Sequence, residues 1–352
     1  MICLNNYIKL IISVFSATLF LIIFFLNPSE MIQGIRNGLF LCGETVIPSL
    51  FPLMVVSDYL IRSGVGIRIS RPVSPLIEKA FKLPGCSSCA ILMGLIGGFP
   101  IGAKMITQLY ELGYLSQQQS KRMLWFCVNS GPAFIIGAVG VSMLADKKSG
   151  ILIFLSQTIT SLLIGFSSRF FSKENFQGAF KSKKTINPSV LTESVSSSTE
   201  AMLNICAWIL LFSSVCPFIE KLAKMNPIFK TVVIISEVTN GCSYAAKFLP
   251  VFFLSAVVSW SGFAVHMQLL NYLKKIGMSI IEFWLSRIIN CLVSLAISYV
   301  LFKLFPCEAQ VFSTFSEIVI KPYSVSVPAA VAMLVLGAFT ILDINLATDK
   351  KI

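Results

Sequence analysis

A single histidine, His266, stands in 352 residues, and only 16 side chains are acidic. One imidazole excludes most histidine-based catalytic arrangements and the zinc sites that need two or more of them. No nucleophile elbow, P-loop or dinucleotide motif occurs in a strand–turn–helix setting. Charge of either sign is scarce: 12% of residues carry it against 55% that are hydrophobic, about half the charged share of a soluble domain. Neither an enzyme nor a soluble protein is expected.

Cysteine is not lacking, but it is scattered, at positions 3, 42, 86, 89, 127, 206, 216, 242, 291 and 307. Cys86-Ser87-Ser88-Cys89 is a lone CxxC with no second pair to complete a metal site. The cysteines read as small apolar packing residues, so neither a metal nor a cofactor is expected. The net charge of +12 comes from lysines and arginines dispersed between apolar runs, which fits positive loops on the cytoplasmic side. A nucleic-acid partner would need a clustered basic stripe with aromatics, and there is none.

Long runs without charge are what the chain does have. Seven windows of 19 residues or more carry no charged side chain: 10–29, 83–103, 123–145, 149–168, 201–219, 248–273 and 322–342. About 20 apolar residues cross the hydrocarbon core as a helix. The expected fold is therefore all-α: a polytopic membrane protein with about eight to ten membrane segments, re-entrant and broken helices among them. Residues 7–26 read as an uncleaved first helix ending at Asn27-Pro28. Pro48-Ser49-Leu50-Phe51-Pro52 is expected to break a helix within 31–61. Segment 62–82, basic and with Val73, Leu76, Ile77 and Ala80 on one face, reads as interfacial.

Window 83–103 contains Gly94-Leu95-Ile96-Gly97-Gly98-Phe99-Pro100-Ile101-Gly102-Ala103 and is followed by Lys104. Four glycines and a proline forbid a straight helix there. Counting supports a fold-back. If basic segments 62–82 and 169–184 share a side, an even number of crossings separates them, yet three windows lie between. One window must enter and leave on the same side, and 83–103 is the best candidate. Open backbone in lipid must be buried in protein or line a cavity, which makes this break a candidate binding site, with Gly98, Phe99, Pro100 and Lys104 as its members.

The second half echoes the first, as a two-fold internal repeat. Gly98-Phe99 and Gly113 recur as Gly262-Phe263 and Gly277 at an offset of 164, and Leu109 matches Leu273. Whether the repeats run parallel or inverted is open at this stage. Duplicated broken segments mark transporter binding sites, and a polar pocket between 94–104 and 258–268 is expected.

Other polar groups at membrane depth are candidates because they are costly unless they face a cavity or a partner. Asn129-Ser130-Gly131-Pro132 offers a ligand site or a kink whose polar neighbours satisfy the backbone. Glu237-Val238-Thr239-Asn240-Gly241 places Glu237, Thr239 and Asn240 for a coupling cation or a substrate donor, or for a lysine partner at the interface. Lys104 and Arg122 attract an anion or snorkel to the headgroups. His266 is a hydrogen-bonded packing residue or a proton relay. The candidate substrate-binding residues are thus Gly98, Phe99, Pro100, Lys104, Asn129, Ser130, Glu237, Thr239, Asn240, Gly262 and His266; none is catalytic or metal-binding.

These runs, from Gly85-Cys86 through Met93–Lys104 to Asn129–Val139, together with Pro48–Pro52, Glu237–Gly241 and Gly262–His266, resemble the sporulation integral membrane proteins of the YlbJ type, within the wider nucleoside-recognition Gate-domain group. The resemblance spans roughly residues 35–300. It implies a multi-pass protein of the outer forespore membrane that passes dipicolinic acid during endospore formation. It also leaves a nucleoside or other small-solute transporter of Gate type, and a non-transporting scaffold for cortex assembly, as alternatives. The implied partners are a small anionic or nucleoside-like solute, the lipid bilayer and other spore-membrane proteins. The expected domains are 1–30 as an anchor helix, 31–171 and 201–305 as Gate-like membrane halves, 172–200 as a polar cytoplasmic linker, and 306–352 as a C-terminal loop and last membrane helix.

Overall fold

The computed structural model describes residues 14–15, 17–171, 189–225 and 228–307. The start of the first helix, linker residues 172–188 and the C-terminal helix expected at 322–342 lie outside the described residues.

Every described element is helical, as expected. Helix α1 (Ala17–Leu26) turns by 104° at Asn27 into α2 (Pro28–Leu41), where the proline takes the N1 position that needs no amide donor. The break expected at Pro48 does not form. Instead α2 runs through a π-helical turn, Cys42–Val46, into α3 (Ile47–Arg62), and the wider turn absorbs the ring without leaving the helical region. Short α4 (Val65–Ile69) and α5 (Ser74–Phe81) follow. On α5, Ile77 and Phe81 are buried while Leu76 is exposed, so the expected apolar face is split between core and surroundings.

Next come α6 (Ser87–Ile96) and α7 (Phe99–Glu111), which fold back on one another. A Cβ on Gly102 would lie 3.1 Å from Gly94 Cα, so two glycines let the arms touch backbone to backbone. Ten residues of α6 span about 15 Å, half a bilayer core. The segment therefore has the form of a re-entrant hairpin, with its tip at Gly97-Gly98. A capping box at Ser116 and Gln119 starts α8 (Gln117–Leu124); the chain is then non-helical from Trp125 to Gly131 and resumes as a π-helical segment, Ala133–Met143. Asp146 caps α9 (Lys147–Ser168).

The second half opens with α10 (Val190–Met225). The last part of the expected linker, 190–200, is thus helical, with Ser194 and Ser198 buried one turn apart on its inner face and Ser196 exposed. Helices α11 (Ile228–Ser236) and α12 (Val238–Phe248) form a second hairpin: a Cβ on Gly241 would lie 2.5 Å from Ile234 O. Then α13 (Leu254–Trp260) and α14 (Gly262–Ile276) make one interrupted span, and α15 (Ile280–Leu304) ends the described chain.

Polarity is distributed inside out. Along α15, Ser286, Asn290, Ser294 and Ser298 are buried while Ile281, Leu285, Ile288 and Leu292 are exposed; α9 likewise buries Ser149, Ser156, Thr160 and Ser161 and exposes Leu155, Leu162 and Leu163. A water-soluble fold would reverse this, whereas small polar residues between helices and apolar ones outside suit lipid. Four spans, Lys147–Phe171, Val190–Leu222, Val251–Ile276 and Ile280–Leu304, are long and apolar enough to cross a membrane. The chain is a multi-pass membrane protein.

Both halves carry the same order of elements: a long helix, a hairpin, an interrupted span, a long helix. Equivalent helices run in opposite directions. Glu30 at the start of α2 pairs with Lys221 near the end of α10 (2.8 Å), and Arg62 at the end of α3 reaches Glu193 near its beginning (3.5 Å). Helices α9 and α15 are antiparallel too, with Lys148 Nζ donating to Pro306 O (3.0 Å) at one end. At their other ends Ser161 and Arg287 both bond the 125–129 break. The repeat is therefore inverted. Its correspondence differs from the expected offset of 164. The first hairpin tip, Gly98, matches Glu237 at the second hairpin tip, and Gly262 belongs with Asn129–Gly131 in the interrupted spans. The sequence echo follows glycines, whereas the repeat follows the direction of the chain.

Candidate functional site

Gly98 at the first hairpin tip has φ +87°, a backbone region open mainly to glycine. It lets α7 start at Phe99 with Pro100 in the first turn, and both side chains are buried. The tip rests on the break in the neighbouring span: a Cβ on Gly131 would meet Ile96 O at 2.8 Å and Gly98 N at 3.3 Å. Asn129 holds that break in shape, donating from Nδ2 to Phe126 O (2.7 Å) and accepting from Ser161 Oγ (2.7 Å). Ser130 beside it is 2% exposed, and its Oγ has no partner among the described residues.

The second half repeats this arrangement with different residues. Glu237 occupies the tip between α11 and α12 in an extended conformation. Its buried carboxylate accepts the N–H groups of Thr239 (3.0 Å) and Asn240 (2.8 Å), the free donors of a helix N-terminus. Facing it is the α13/α14 interruption, where Ser261 and Gly262 both have φ of 77°. A Cβ on Gly262 would lie 2.8 Å from Val238 N and 2.9 Å from Glu237 Cα. One turn on, His266 is fully buried; its Nε2 bonds Trp260 O (2.8 Å), and rings of Trp260, Phe263 and Phe283 surround it at 4.5, 5.7 and 5.3 Å. Its Nδ1 has no partner among the described residues.

Arg287 of α15 joins the two halves. It is 1% exposed, and it donates to Val128 O (2.6 Å) and Trp125 O (2.8 Å). Asn290 adds a bond to Trp125 O (2.9 Å). The guanidinium also lies 5.2 Å from the centre of the Phe283 ring, whose other neighbour is His266. The carbonyls freed at the first-half break are thus satisfied by a cation from the second half.

Lys104 does not reach either break. In the second turn of α7 it is 4% exposed and pairs with Asp58 of α3 at 2.9 Å, while donating to Ser198 Oγ of α10 (3.2 Å). The same carboxylate takes bonds from Arg62 Nε, Gln108 Nε2 and Ser197 Oγ, the last at 3.2 Å. Snorkelling to headgroups is thereby ruled out for this lysine.

The expected residues divide into three groups. Gly98 stands with Asn129 and Ser130; Gly262 and His266 stand with Glu237, Thr239 and Asn240; Lys104 stands apart with Asp58. Helices α7 and α14 of the two segments do pack against each other. The glycines at their starts make closed contacts within their own halves, Gly98 with Gly131 and Gly262 with Glu237 and Val238, in place of the single pocket expected between 94–104 and 258–268. Both segments are interrupted, as expected. Glu237 has no lysine or arginine within ion-pair distance among the described residues, so the interfacial lysine partner is not found. Sequence reasoning missed Asp58, Gln108, Ser197 and Arg287. A signal existed for Asp58: it is the sole charge between Glu44 and Arg62.

Over 308 residues the chain is 24% identical to the sporulation integral membrane protein YlbJ of Bacillus subtilis (strain 168), an alignment covering 75% of this chain and 76% of that one. No family model matches the chain, and no solved structure matches it. The resemblance to the YlbJ type expected from the sequence is borne out; the wider Gate-domain grouping has no such support.

Proposed function

We propose that this chain acts in endospore formation as a transporter or channel, and that it passes dipicolinic acid, a small planar dianion, across the outer forespore membrane. In this reading it binds and moves a solute and performs no covalent chemistry. The observation that carries the proposal is the pair of re-entrant hairpins, one in each inverted half, whose tips meet interrupted spans. A purely structural span has no reason to break, since each break frees backbone groups in a medium without water to bond them. This chain breaks at 97–98, 125–131, 237 and 261. Breaks in corresponding positions of inverted halves are the arrangement by which alternating access is built. The hairpin starting α7 has no side chain capping its N-terminus, an end suited to an anionic group. The relative's name, a sporulation integral membrane protein, supports the cellular setting.

Purified chain in lipid vesicles tests this directly. Labelled dipicolinate is expected to enter, and labelled uridine is not. Uptake of uridine alone replaces the solute with a nucleoside, and uptake of neither favours a scaffold. In spores, Ser130→Ala and Glu237→Ala at normal protein level are expected to lower dipicolinate content severalfold. Unchanged content in both strains removes the hairpin tips from the path.

A further inference from the structure

Asp58 is fully buried, and four side chains from three helices converge on its two carboxylate oxygens. Lys104 Nζ (2.9 Å), Gln108 Nε2 and Ser197 Oγ (3.2 Å) meet Oδ1, and Arg62 Nε meets Oδ2. Ser198 Oγ accepts from the lysine behind them (3.2 Å). Two cations face one buried anion; the other acids nearby lie toward the surface, Glu193, 3.5 Å from Arg62 and half exposed, and exposed Glu200, near enough to Lys104 to act on its charge. A buried ion pair adds little stability over an apolar pair of the same size, so stability alone does not account for this constellation. It has the composition of a receptor for a carboxylate: a lysine, an arginine, an amide and hydroxyls placed to hold both oxygens.

Its position adds to this. Lys104 and Gln108 belong to α7, an arm of the first hairpin; Arg62 ends α3; Ser197 and Ser198 belong to α10, in the other half. The cluster therefore fastens a hairpin to the helices of both halves, and a displacement of α7 relative to α3 removes the Lys104 and Gln108 bonds to Asp58. Arg62 is 35% exposed, so one edge of the cluster reaches the surface of the protein while Asp58 and Lys104 stay buried behind it.

We propose that this cluster is a carboxylate-binding site held shut by the chain's own Asp58, which a carboxylate of the solute displaces. The ligand class is a small dicarboxylate: one carboxylate takes the place of Asp58 between Lys104 and Arg62. The inference rests on the transport reading above and adds to it the residues that first receive the anion. Apparent affinity falls in proportion to the fraction of molecules whose site is open. Removing the internal competitor must then tighten binding.

The test uses the full chain in detergent, with calorimetric binding and thermal melting, and two probes: pyridine-2,6-dicarboxylate and benzene-1,3-dicarboxylate, which keeps the carboxylate spacing without the ring nitrogen. Three proteins are compared: wild type, Asp58→Asn, and the charge-free pair Asp58→Asn/Lys104→Met. Asp58→Asn is expected to bind at least one probe about tenfold tighter than wild type, as for a site that its own carboxylate fills in about nine molecules of ten, and to gain more melting temperature from that probe. The double variant is expected to lose both effects. Unchanged or weaker binding in Asp58→Asn, or tight binding that survives in the double variant, overturns the proposal. So does an Asp58→Asn protein that stays unfolded with either probe present, because the site then refuses a carboxylate in place of Asp58. Dipicolinate uptake into vesicles without tightening by Asp58→Asn leaves the transport reading standing and removes this site. Tightening for benzene-1,3-dicarboxylate alone keeps the site and removes dipicolinate.

Discussion

Arg287, Asn290 and Asn129 serve the backbone as much as any solute. Each bonds a carbonyl left open where a span is interrupted, which is the condition for having such an interruption in lipid at all. Outside the spans the same chemistry sets a helix end. Burial raises the Asp146 carboxyl, but the Ser149 hydroxyl and the N–H groups of Lys148 and Ser149 outweigh it and hold the group below its usual range. Asp146→Ala is expected to cost about 1 kcal/mol of stability, the loss of an N-cap. A depressed carboxylate stabilises above its unfolded pKa and ceases to do so as pH falls through its folded value. The difference between wild type and variant in thermal melting should therefore be constant near neutrality and shrink below about pH 4.

At the scale of elements, the hairpins close by backbone contact, and glycine sets how near the backbones come. A Cβ on Gly102 would stand 2.1 Å from Cys127 O, and one on Gly131 2.8 Å from Ile96 O, whereas Gly137 has nothing within 4 Å. Gly102→Ala and Gly131→Ala are each expected to cost about 1–3 kcal/mol by overpacking. Gly137→Ala, in the π-helical segment that follows the break, should change stability by less than about 0.5 kcal/mol. Melting of the three purified variants checks the order. A tolerant Gly131 would mean that the tip and the break are not in contact.

For the whole molecule, the antiparallel pairing of α2–α3 with α10 is what makes the halves inverted. Glu30 and Lys221 meet at one end of the pair, Arg62 and Glu193 at the other. The 28 positions between Glu193 and Lys221 span about 42 Å of helix. Cysteines placed as Glu30→Cys with Lys221→Cys should join through a short bifunctional thiol reagent, and Glu30→Cys with Glu193→Cys should not, as read by mass spectrometry of the linked peptides. Linkage of the second pair alone would reverse α10 and turn the repeat parallel.

Composition and hydropathy by themselves determined the class of this protein: a helical, multi-pass chain with a fold-back at Gly97-Gly98 and a break at Asn129–Pro132. Those features are local, because a run of apolar residues or a glycine acts through its own backbone. Long-range features stayed hidden for a physical reason that Asp58 and Arg287 share. A membrane segment is recognised by its freedom from charge, so a helix that carries one buried charge, such as α15, is passed over, and in α3 the prolines drew the reading while Asp58 was given no role. Only the tertiary structure supplies the partners that make such a charge tolerable: Lys104 for Asp58, and the carbonyls of Trp125 and Val128 for Arg287. The direction of each repeat was likewise decided by packing, since a glycine pattern reads the same whichever way its helix crosses.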